Sequence, residues 1–320
     1  MSKIAVIIPY FGQFPNYFDL WMRSATENDD VTFLIFTDIV WNKEVPKNIK
    51  FIQISFDEIK RKVNEILDFD FRLENPYKLC DYRPIFGLIF EDYLTDYDFW
   101  GYCDVDLIFG IISNYVNDEI LNHYDRVYKH GHFCLYRNDD RVNKFSLMDS
   151  TKYNMSAKDF LSLDYSSHFD EGFLIRRLCE EQNILNYYSL DFADIDYSCL
   201  EFKNAQPERA YFDSPQIYEW NKGKVTKHYI SEGSVRQEEV EYLHLQKRKM
   251  LVSGITYNTD RYLIVPNEFI PYEEVTYDLI TKYSKPDHQY EKNQKKMKIR
   301  RQIENIQKGA LLIRWKKIWK

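Results

Sequence analysis

Short apolar strands alternate with amphipathic helices in the first part of the chain. The stretches "KIAVIIPY", "VTFLIFTD" and "IKFIQIS" have the composition of buried strands. The stretches "PNYFDLWMRSATEN" and "FDEIKRKVNEIL" have apolar residues at helical spacing. When strands alternate with helices along a chain, the strands usually pair in parallel. The pattern therefore predicts an α/β fold in which helices flank a mostly parallel sheet.

Two carboxylates follow a fourth predicted strand in "DYDFWGYCDVDLIFG", Asp96 to Gly110. Desolvating a carboxylate is costly unless positive charge lies beside it. In open α/β sheets, ligands bind beyond the carboxyl ends of the strands, which is where Asp104 and Asp106 are expected. Two acids spaced i, i+2 there predict an oxygen-rich site for Mn²⁺ or Mg²⁺. Such a cation leaves positions open for phosphate oxygens, so we expect a nucleotide diphosphate as partner.

Two other interpretations of the acid pair remain open. The pair could be a solvated surface turn, although the aromatic run before it and "LIFG" after it disfavour a surface position. It could also belong to a phosphohydrolase in which the first Asp is a nucleophile. That pattern has Thr or Val two residues after the second Asp, where this chain has Ile108, and no later acidic cluster with a matching Lys is evident.

Composition limits the class of protein. With 320 residues, 44% of them apolar, the chain can bury a large core, and we expect one domain over 1–285. The five cysteines are widely spaced and form no CxxC pair, which predicts reduced thiols and neither a disulfide framework nor a zinc site. The apolar run before Pro9 is too short for a signal peptide or a membrane span. We therefore expect a cytoplasmic location.

These motifs resemble a known family. The stretches "KLCDYRPIFG", "YDFWGYCDVDLIFG", "FDEG" and "YLHLQKRKM" look like those of bacterial glycosyltransferases of capsular and exopolysaccharide biosynthesis, over roughly residues 3–255. The resemblance implies a GT-A fold, which is Rossmann-like, and a DxD motif that binds a metal and a nucleotide sugar. It further implies that Asp104 and Asp106 are the DxD acids and that His244 completes the metal site. A UDP-sugar donor and hexosyl transfer are the expected chemistry.

The residues around His244 support part of this assignment independently. In "EYLHLQKRK" a strand pattern puts Tyr242, His244 and Gln246 on one face, and Lys247 and Arg248 follow. A histidine and two cations close together suit a site for a metal and a diphosphate. The alternative is a hydrogen-bonded strand histidine beside a solvated basic pair.

Further candidate residues have both a functional and a structural interpretation. Asp170 and Glu171 fall at a predicted helix start, where they would act on the acceptor hydroxyl or only cap the helix. Three charged residues precede the acid-bearing strand and would contact the nucleotide sugar or form a surface cluster: Lys78, Asp81 and Arg83. Tyr10 and Asp38 follow the first two strands, where they would stack on and hydrogen-bond to the base; Tyr10 could equally be an ordinary loop aromatic.

The C-terminal segment 286–320 is basic and amphipathic. From Glu291 to Lys320 it has eleven Lys and Arg against two Asp and Glu, a charge of +9 that leaves −16 for the rest. Apolar residues are placed among the cations: Met297, Ile299, Ile303, Ile306, Leu311, Trp315, Ile318 and Trp319. This predicts a helix in the membrane interface, too short in its apolar run "ALLI" to span. A helix packed on the domain or a solvated end is the alternative, and nucleic-acid binding is disfavoured because the remaining body is acidic.

The sequence thus predicts a metal-dependent glycosyltransferase held peripherally at the inner face of the cytoplasmic membrane. Its partners would be a nucleotide sugar and a lipid-linked or growing polysaccharide acceptor. A non-catalytic nucleotide-sugar or glycan-binding protein with the same fold is the second hypothesis.

Overall fold

The helices and strands follow the predicted alternation over the first half of the chain. The computed structural model describes residues 2–206 and 214–307. Its strands are β1 (Ile4–Pro9), β2 (Val31–Thr37), β3 (Ile49–Gln53), β4 (Phe99–Cys103), β5 (Leu107–Phe109), β6 (Arg126–His130), β7 (Phe133–Arg137), β8 (Asn186–Tyr187), β9 (Ala193–Asp194), β10 (Gln216–Asn221), β11 (Lys224–Ser231), β12 (Ser234–Val240), β13 (Tyr242–His244), β14 (Leu251–Val252), β15 (Arg261–Val265) and β16 (Glu268–Pro271). Its α-helices are α1 (Phe18–Thr26), α2 (Phe56–Ile66), α3 (Phe86–Ile89), α4 (Asp118–His123), α5 (Asp140–Lys144), α6 (Lys158–Leu161), α7 (Phe173–Glu181), α8 (Tyr277–Tyr283) and α9 (His288–Gln307).

The largest sheet is mostly parallel, as the sequence predicts. Its strand order is β3-β2-β1-β4-β7-β6-β8. The first four of these strands are parallel to one another, and β8 is parallel to β6. Only β7, among the described strands of this sheet, runs opposite to its neighbours β4 and β6. The chain leaves β1 for β2 and β3 on one side and returns to β4 on the other, so the strand order reverses between β1 and β4.

Helices cover both faces of this sheet. The helices α2, α3, α6 and α7 pack on one face, and α1 packs on the other. Successive residues of β1 therefore enter different cores: Ala5 and Ile7 lie in the first, and Ile4, Val6 and Ile8 lie in the second. A strand that is buried on both faces is expected to be continuously apolar, which "IAVII" is. The predicted α/β architecture with flanking helices is confirmed.

Local sequence signals account for where some of these helices begin and end. Ser55 and Glu58 form a reciprocal capping box at the start of α2. The stretch around "KLCDYRPIFG" is a 3₁₀ segment, Pro76–Ile85, followed by the single turn α3. Pro84 has no N–H to donate, which explains why a regular α-helix does not continue through this stretch.

Two smaller sheets complete the fold. One has the order β12-β11-β10-β15-β16-β14. Its β10–β11 hairpin turns at Lys222 and Gly223, both with positive φ, as two-residue hairpin turns require. The other has the order β5-β13-β9, with β13 antiparallel to β5 and parallel to β9. This small sheet brings a late segment of the chain beside the residues that follow the acid pair.

The basic C-terminal segment begins as the helix α9. Four of its apolar side chains are about half exposed: Met297, Ile299, Ile303 and Ile306. The predicted interfacial residues Leu311, Trp315, Ile318 and Trp319 lie outside the described residues. Among the helices of residues 2–206 and 214–307, none is long and apolar enough to cross a bilayer. The predicted domain boundary near residue 285 stays a prediction.

Candidate metal and substrate site

The two acids lie in the turn between β4 and β5. The main-chain N–H of Asp104 donates to the carbonyl of His132, 2.9 Å away, which fixes the turn against the start of β7. The side chain of Asp104 is 27% exposed, whereas Asp106 is buried. This turn is at the carboxyl end of β4, next to the end of β1, where the strand order reverses. Open α/β sheets bind ligands at such a point.

His244 lies beside the acids because β13 pairs with β5. The pairing sets His244 opposite Leu107, one residue after Asp106. The imidazole Nε2 is 3.4 Å from Asp106 Oδ1 and 3.9 Å from Asp104 Oδ2. One ligand atom from each of the three residues lies within 4.8 Å of the others. The structure thus brings together the three residues predicted as metal ligands, although His244 is more than a hundred positions from the two acids in the chain.

The donor set fits a hard divalent cation. Asp106 Oδ1 is buried and makes no well-formed hydrogen bond among the described residues. Two carboxylates and one imidazole are ligands that Mn²⁺ accepts, and Mg²⁺ favours the carboxylates. A cation that binds two of these atoms at about 2.1 Å holds them about 3 Å apart. The observed separations therefore need only a small adjustment.

The ionisation of this cluster follows from its burial and its partners. Burial disfavours the charged imidazole, but Asp106 and Asp194 outweigh it and raise the pKa of His244 to about 10. Burial disfavours the Asp106 carboxylate too, but His244 and the N–H of Lys247 lower its pKa overall. The pair is therefore imidazolium and carboxylate, and a cation that binds Nε2 must displace its proton.

Lys247 is held next to the acids by an unusual turn. The predicted strand ends at His244, and both Gln246 and Lys247 have positive φ. This conformation points the N–H of Lys247 at Asp106 Oδ2, 2.6 Å away. The Lys247 ammonium donates to the hydroxyl of Tyr77 at 2.8 Å. Lys247 therefore adds positive charge beside the acid pair.

Arg248 points away from the acid pair. Its guanidinium is buried and donates to the carbonyls of Asp196, Cys199 and Leu200. These contacts hold the turn at residues 196–200. They favour a structural role for Arg248 over the predicted contact with a cofactor.

Arg83 connects the acid pair to the predicted catalytic acids. Its guanidinium donates to Asp104 Oδ1, to Asp170 Oδ2 at 3.0 Å and to the carbonyl of Gly131 at 2.5 Å. Glu171 accepts the N–H of Gly131 at 2.9 Å. A Cβ at position 131 would lie 3.0 Å from Asp170 Oδ2, so a larger residue there would displace this side chain by a few tenths of an ångström. Arg83 therefore joins its own segment to three other segments of the chain.

Burial changes the ionisation of Asp170. It is 1% exposed, and its Oδ1 has no partner among the described residues. Burial raises the pKa of Asp170 to about 6, although Arg83 opposes this shift. Asp170 and Glu171 lie in a 3₁₀ turn, and Gly172 is the N-cap of α7 without a side-chain cap. The capping interpretation of the two acids is therefore wrong.

Lys78 and Asp81 form a buried ion pair and not a surface cluster. Their charged atoms are 2.6 Å apart, and Lys78 donates further to the carbonyls of Phe160 and Tyr165. Asp81 accepts the N–H groups of Ser167 and Phe169. These contacts fix the turn that leads into Asp170. They favour a role in positioning that turn over direct contact with a nucleotide sugar.

Tyr10 and Asp38 lie at the carboxyl ends of β1 and β2, as predicted. The Tyr10 ring is half-buried and stacks on Phe14 with centroids 4.8 Å apart. Burial raises the pKa of Tyr10, and Asp106 and Asp104 add to the shift, so the ring borders the acid pair. Asp38 is exposed. Their predicted contacts with a base stay predictions.

Two residues of this region carry no clear signal in the sequence. Asp194 is in the two-residue strand β9, and His132 is in the tight turn between β6 and β7. With His244 they form a second, fully buried group of potential ligands. Asp194 is in a strand too short to show alternation, and the spacing of His132 suggests no metal. Only the sheet pairings bring them together.

Comparisons with known proteins give one family and a set of solved structures. The galactosyltransferase LgtC, in complex with donor and acceptor sugar analogs, matches with 11% identity and a TM-score of 0.35 over 60% of this chain and 75% of that chain. The glycosyltransferase GlyE of Streptococcus pneumoniae TIGR4 matches with 12% identity and a TM-score of 0.27 over 60% of this chain and 56% of that chain. No curated protein sequence matches. The model of a family of unknown function, DUF6625, matches residues 6–273, and the chain belongs to that family.

Proposed function

We propose that this protein is a metal-dependent glycosyltransferase that moves a sugar from a nucleotide diphosphate, most simply a UDP-sugar, to a polysaccharide or lipid-linked acceptor. The observation that carries the proposal is the convergence of Asp104, Asp106 and His244 at the point where the strand order reverses. The hydrolase and surface-turn alternatives do not account for a histidine brought to the acids from β13.

The residues around the acids suit a departing diphosphate. A bound Mn²⁺ or Mg²⁺ would supply charge neutralisation for the phosphate oxygens. The Lys247 ammonium interacts electrostatically with Asp104 and Asp106, and the Arg83 guanidinium donates to Asp104. Both side chains donate hydrogen bonds that suit phosphate oxygens, and interactions that strengthen as charge develops lower the barrier of transfer.

The acceptor side is assigned to the cluster around Arg83. Among the described residues, one buried oxygen of Asp170 has no hydrogen-bond partner, and Glu171 is the next residue on the same 3₁₀ segment. A carboxylate with a free oxygen accepts a hydrogen bond from an acceptor hydroxyl and takes its proton, or it stabilises a positive charge on the sugar. Because Arg83 bonds both Asp104 and Asp170, the two halves of the site share one guanidinium.

The basic tail fits a role at a membrane surface. In α9 the half-exposed Ile299, Ile303 and Ile306 follow at i, i+4 and i+7 and so lie on one stripe, with lysines beside it. An interfacial helix with that arrangement binds anionic lipid by apolar burial and charge attraction. A transferase with a lipid-linked acceptor is served by such a location.

Removal of an acid at the metal site is expected to abolish metal-dependent donor binding. In Asp106→Ala and Asp104→Ala, the cation loses one of its ligands, so Mn²⁺-dependent binding of UDP should fall below detection in calorimetry and transfer should cease. The exposed Asp96, before the same strand, gives the matched control Asp96→Asn, which should bind UDP normally. Unchanged binding in both site variants would remove the metal from the proposal.

Loss of the acceptor-side carboxylate is expected to reduce the transfer rate without reducing donor binding. Asp170→Asn or Glu171→Gln should slow transfer by roughly 100-fold, as for other acid and base groups, while UDP binding stays normal. Rates within about threefold of wild type in both variants would favour the non-catalytic binding protein with the same fold.

The transfer rate is expected to depend on pH through Asp170. Its pKa is about 6, and only the ionised carboxylate can take a proton. With metal and donor saturating at each pH, the maximal rate should therefore fall about tenfold per pH unit below that value. The residual rate of Asp170→Asn should lack this fall. A wild-type rate that does not change between about pH 5 and about pH 7, a range that spans the pKa of Asp170, would contradict its role as the group that takes the proton.

Removal of the tail is expected to abolish binding to anionic membranes but to leave the binding of UDP and Mn²⁺ unchanged. A chain that ends near Lys285 should bind UDP and Mn²⁺ as the full chain does but should no longer pellet with anionic liposomes. The full chain should also fail to pellet with neutral liposomes, because charge attraction is part of the binding. Equal pelleting of the full and shortened chains with anionic liposomes would rule out the tail as the membrane contact.

A further inference from the structure

We propose that Asp194 is a positioning residue that orients His244 toward the metal. The inference rests on the proposed function, and it assigns to Asp194 a role that the motifs around the acid pair do not indicate. Its chemistry is that of a carboxylate that accepts the N–H of a metal-binding imidazole on the side opposite the metal.

The hydrogen bond that carries this proposal is buried and short. Asp194 Oδ1 lies 2.8 Å from Nδ1 of His244, and both side chains are more than nine-tenths buried. A carboxylate accepts only, so the proton is on Nδ1. The other nitrogen, Nε2, is the one that faces Asp106 and Asp104. When a cation displaces the Nε2 proton, this contact keeps the other proton on Nδ1, so the Nε2 lone pair points into the proposed metal site.

Asp194 is itself held in place from several directions. Gln246 donates an amide N–H to Oδ1 at 2.6 Å, and Gln206 donates one to Oδ2 at 2.7 Å. The backbone adds to this, since β9 pairs with β13 so that Asp194 is opposite His244. A carboxylate fixed by two amides and a sheet pairing gives the imidazole one orientation and limits rotation of the ring.

A competing assignment uses Asp194 as a metal ligand. His132, Asp194 and His244 form a second group with ligand atoms close together. A cation held between Asp194 and Nδ1 of His244 would have to replace the hydrogen bond that joins them. Its Nε2, by contrast, faces the buried Asp106 Oδ1 that makes no well-formed hydrogen bond. The geometry therefore favours the acid pair as the metal site and Asp194 as its support.

The test measures Mn²⁺ affinity of the full chain by electron paramagnetic resonance, without any sugar donor. Asp194→Ala should weaken Mn²⁺ binding by about 10- to 100-fold, as for other residues that orient a metal ligand. Asp194→Asn keeps an oxygen that accepts the Nδ1 proton and should recover affinity to within about fivefold of wild type. His132→Gln should leave the affinity unchanged.

A second buried histidine–carboxylate pair provides the matched control. His228 Nε2 lies 3.0 Å from Glu219 Oε2 in the sheet of β10 and β11. Glu219→Gln perturbs an equivalent pair and should leave Mn²⁺ affinity at the wild-type value. A loss in Glu219→Gln equal to that in Asp194→Ala would mean that the effect is general destabilisation, which overturns the proposal.

Nitrogen NMR of the histidine side chains in the Mg²⁺-saturated wild-type protein gives a second readout, which holds even where Asp194→Ala does not fold. His244 should carry its proton on Nδ1; a proton on Nε2 overturns the inference. Affinity in Asp194→Ala within about threefold of wild type overturns it as well. Loss of Mn²⁺ binding in His132→Gln together with Asp194→Ala assigns the metal to the other group. A wild-type protein that binds no Mn²⁺ overturns the metal in the proposed function itself, so the two failures are distinguishable.

Discussion

The candidate site depends on the contacts of the buried Asp106 carboxylate. One of its oxygens accepts the N–H of Lys247, and the other faces His244. Burial of a lone carboxylate would be strongly unfavourable. Asp106 can therefore be buried only because β13 and the turn after it supply His244 and the N–H of Lys247 as partners. The main-chain pairing of β5 with β13 supplies the same link in the backbone. The three-stranded sheet β5-β13-β9 thereby completes a site that begins at the end of β4 in the seven-stranded sheet.

The candidate site has two halves of different construction. Around Asp106 the partners are an imidazole and a main-chain N–H, which leave an oxygen available to a cation. Around Asp170 the partner is a guanidinium that donates to three oxygen acceptors, on Gly131, Asp170 and Asp104. In the first half a cation must replace the Nε2 proton of His244, whereas the positive charge of the second half is the permanent charge of Arg83. This difference is consistent with a metal and a diphosphate on one side and a neutral hydroxyl on the other.

The sequence predicts the sheet and part of the site for clear physical reasons. Continuous apolar runs identify β1, β2, β3 and β4, and the position of Asp104 and Asp106 follows from the end of one of them. Contacts across the tertiary structure are different. The ion pair of Lys78 and Asp81 is three residues apart on one turn, as a surface pair would be, and nothing local indicates that the turn at 165–169 covers it.

Arg248 and Asp194 also show what the sequence could not predict. Arg248 is predicted to contact a cofactor and has structural contacts instead, whereas Asp194 is not predicted to have a role. Arg248 follows a lysine in a basic run, which is typical of a solvated or phosphate-binding pair, yet it is buried against three carbonyls. Asp194 is an ordinary acid in an acidic protein until β9 and β13 pair. The roles of both residues depend on pairings between distant short strands, and strands of two or three residues have too few side chains to show a period.

The turn that Arg248 holds has a second neighbour. Tyr290, in the first turns of α9, donates its hydroxyl to the carbonyl of Tyr197. A short series of contacts therefore connects α9 to His244. Tyr290 bonds the turn at residues 196–200, this turn accepts hydrogen bonds from Arg248, and Arg248 is four residues after His244. The helix α9 and the segment that follows His244 therefore contact the same turn of main chain, so loss of the Tyr290 hydrogen bond would remove one of the contacts of the turn that also holds Arg248.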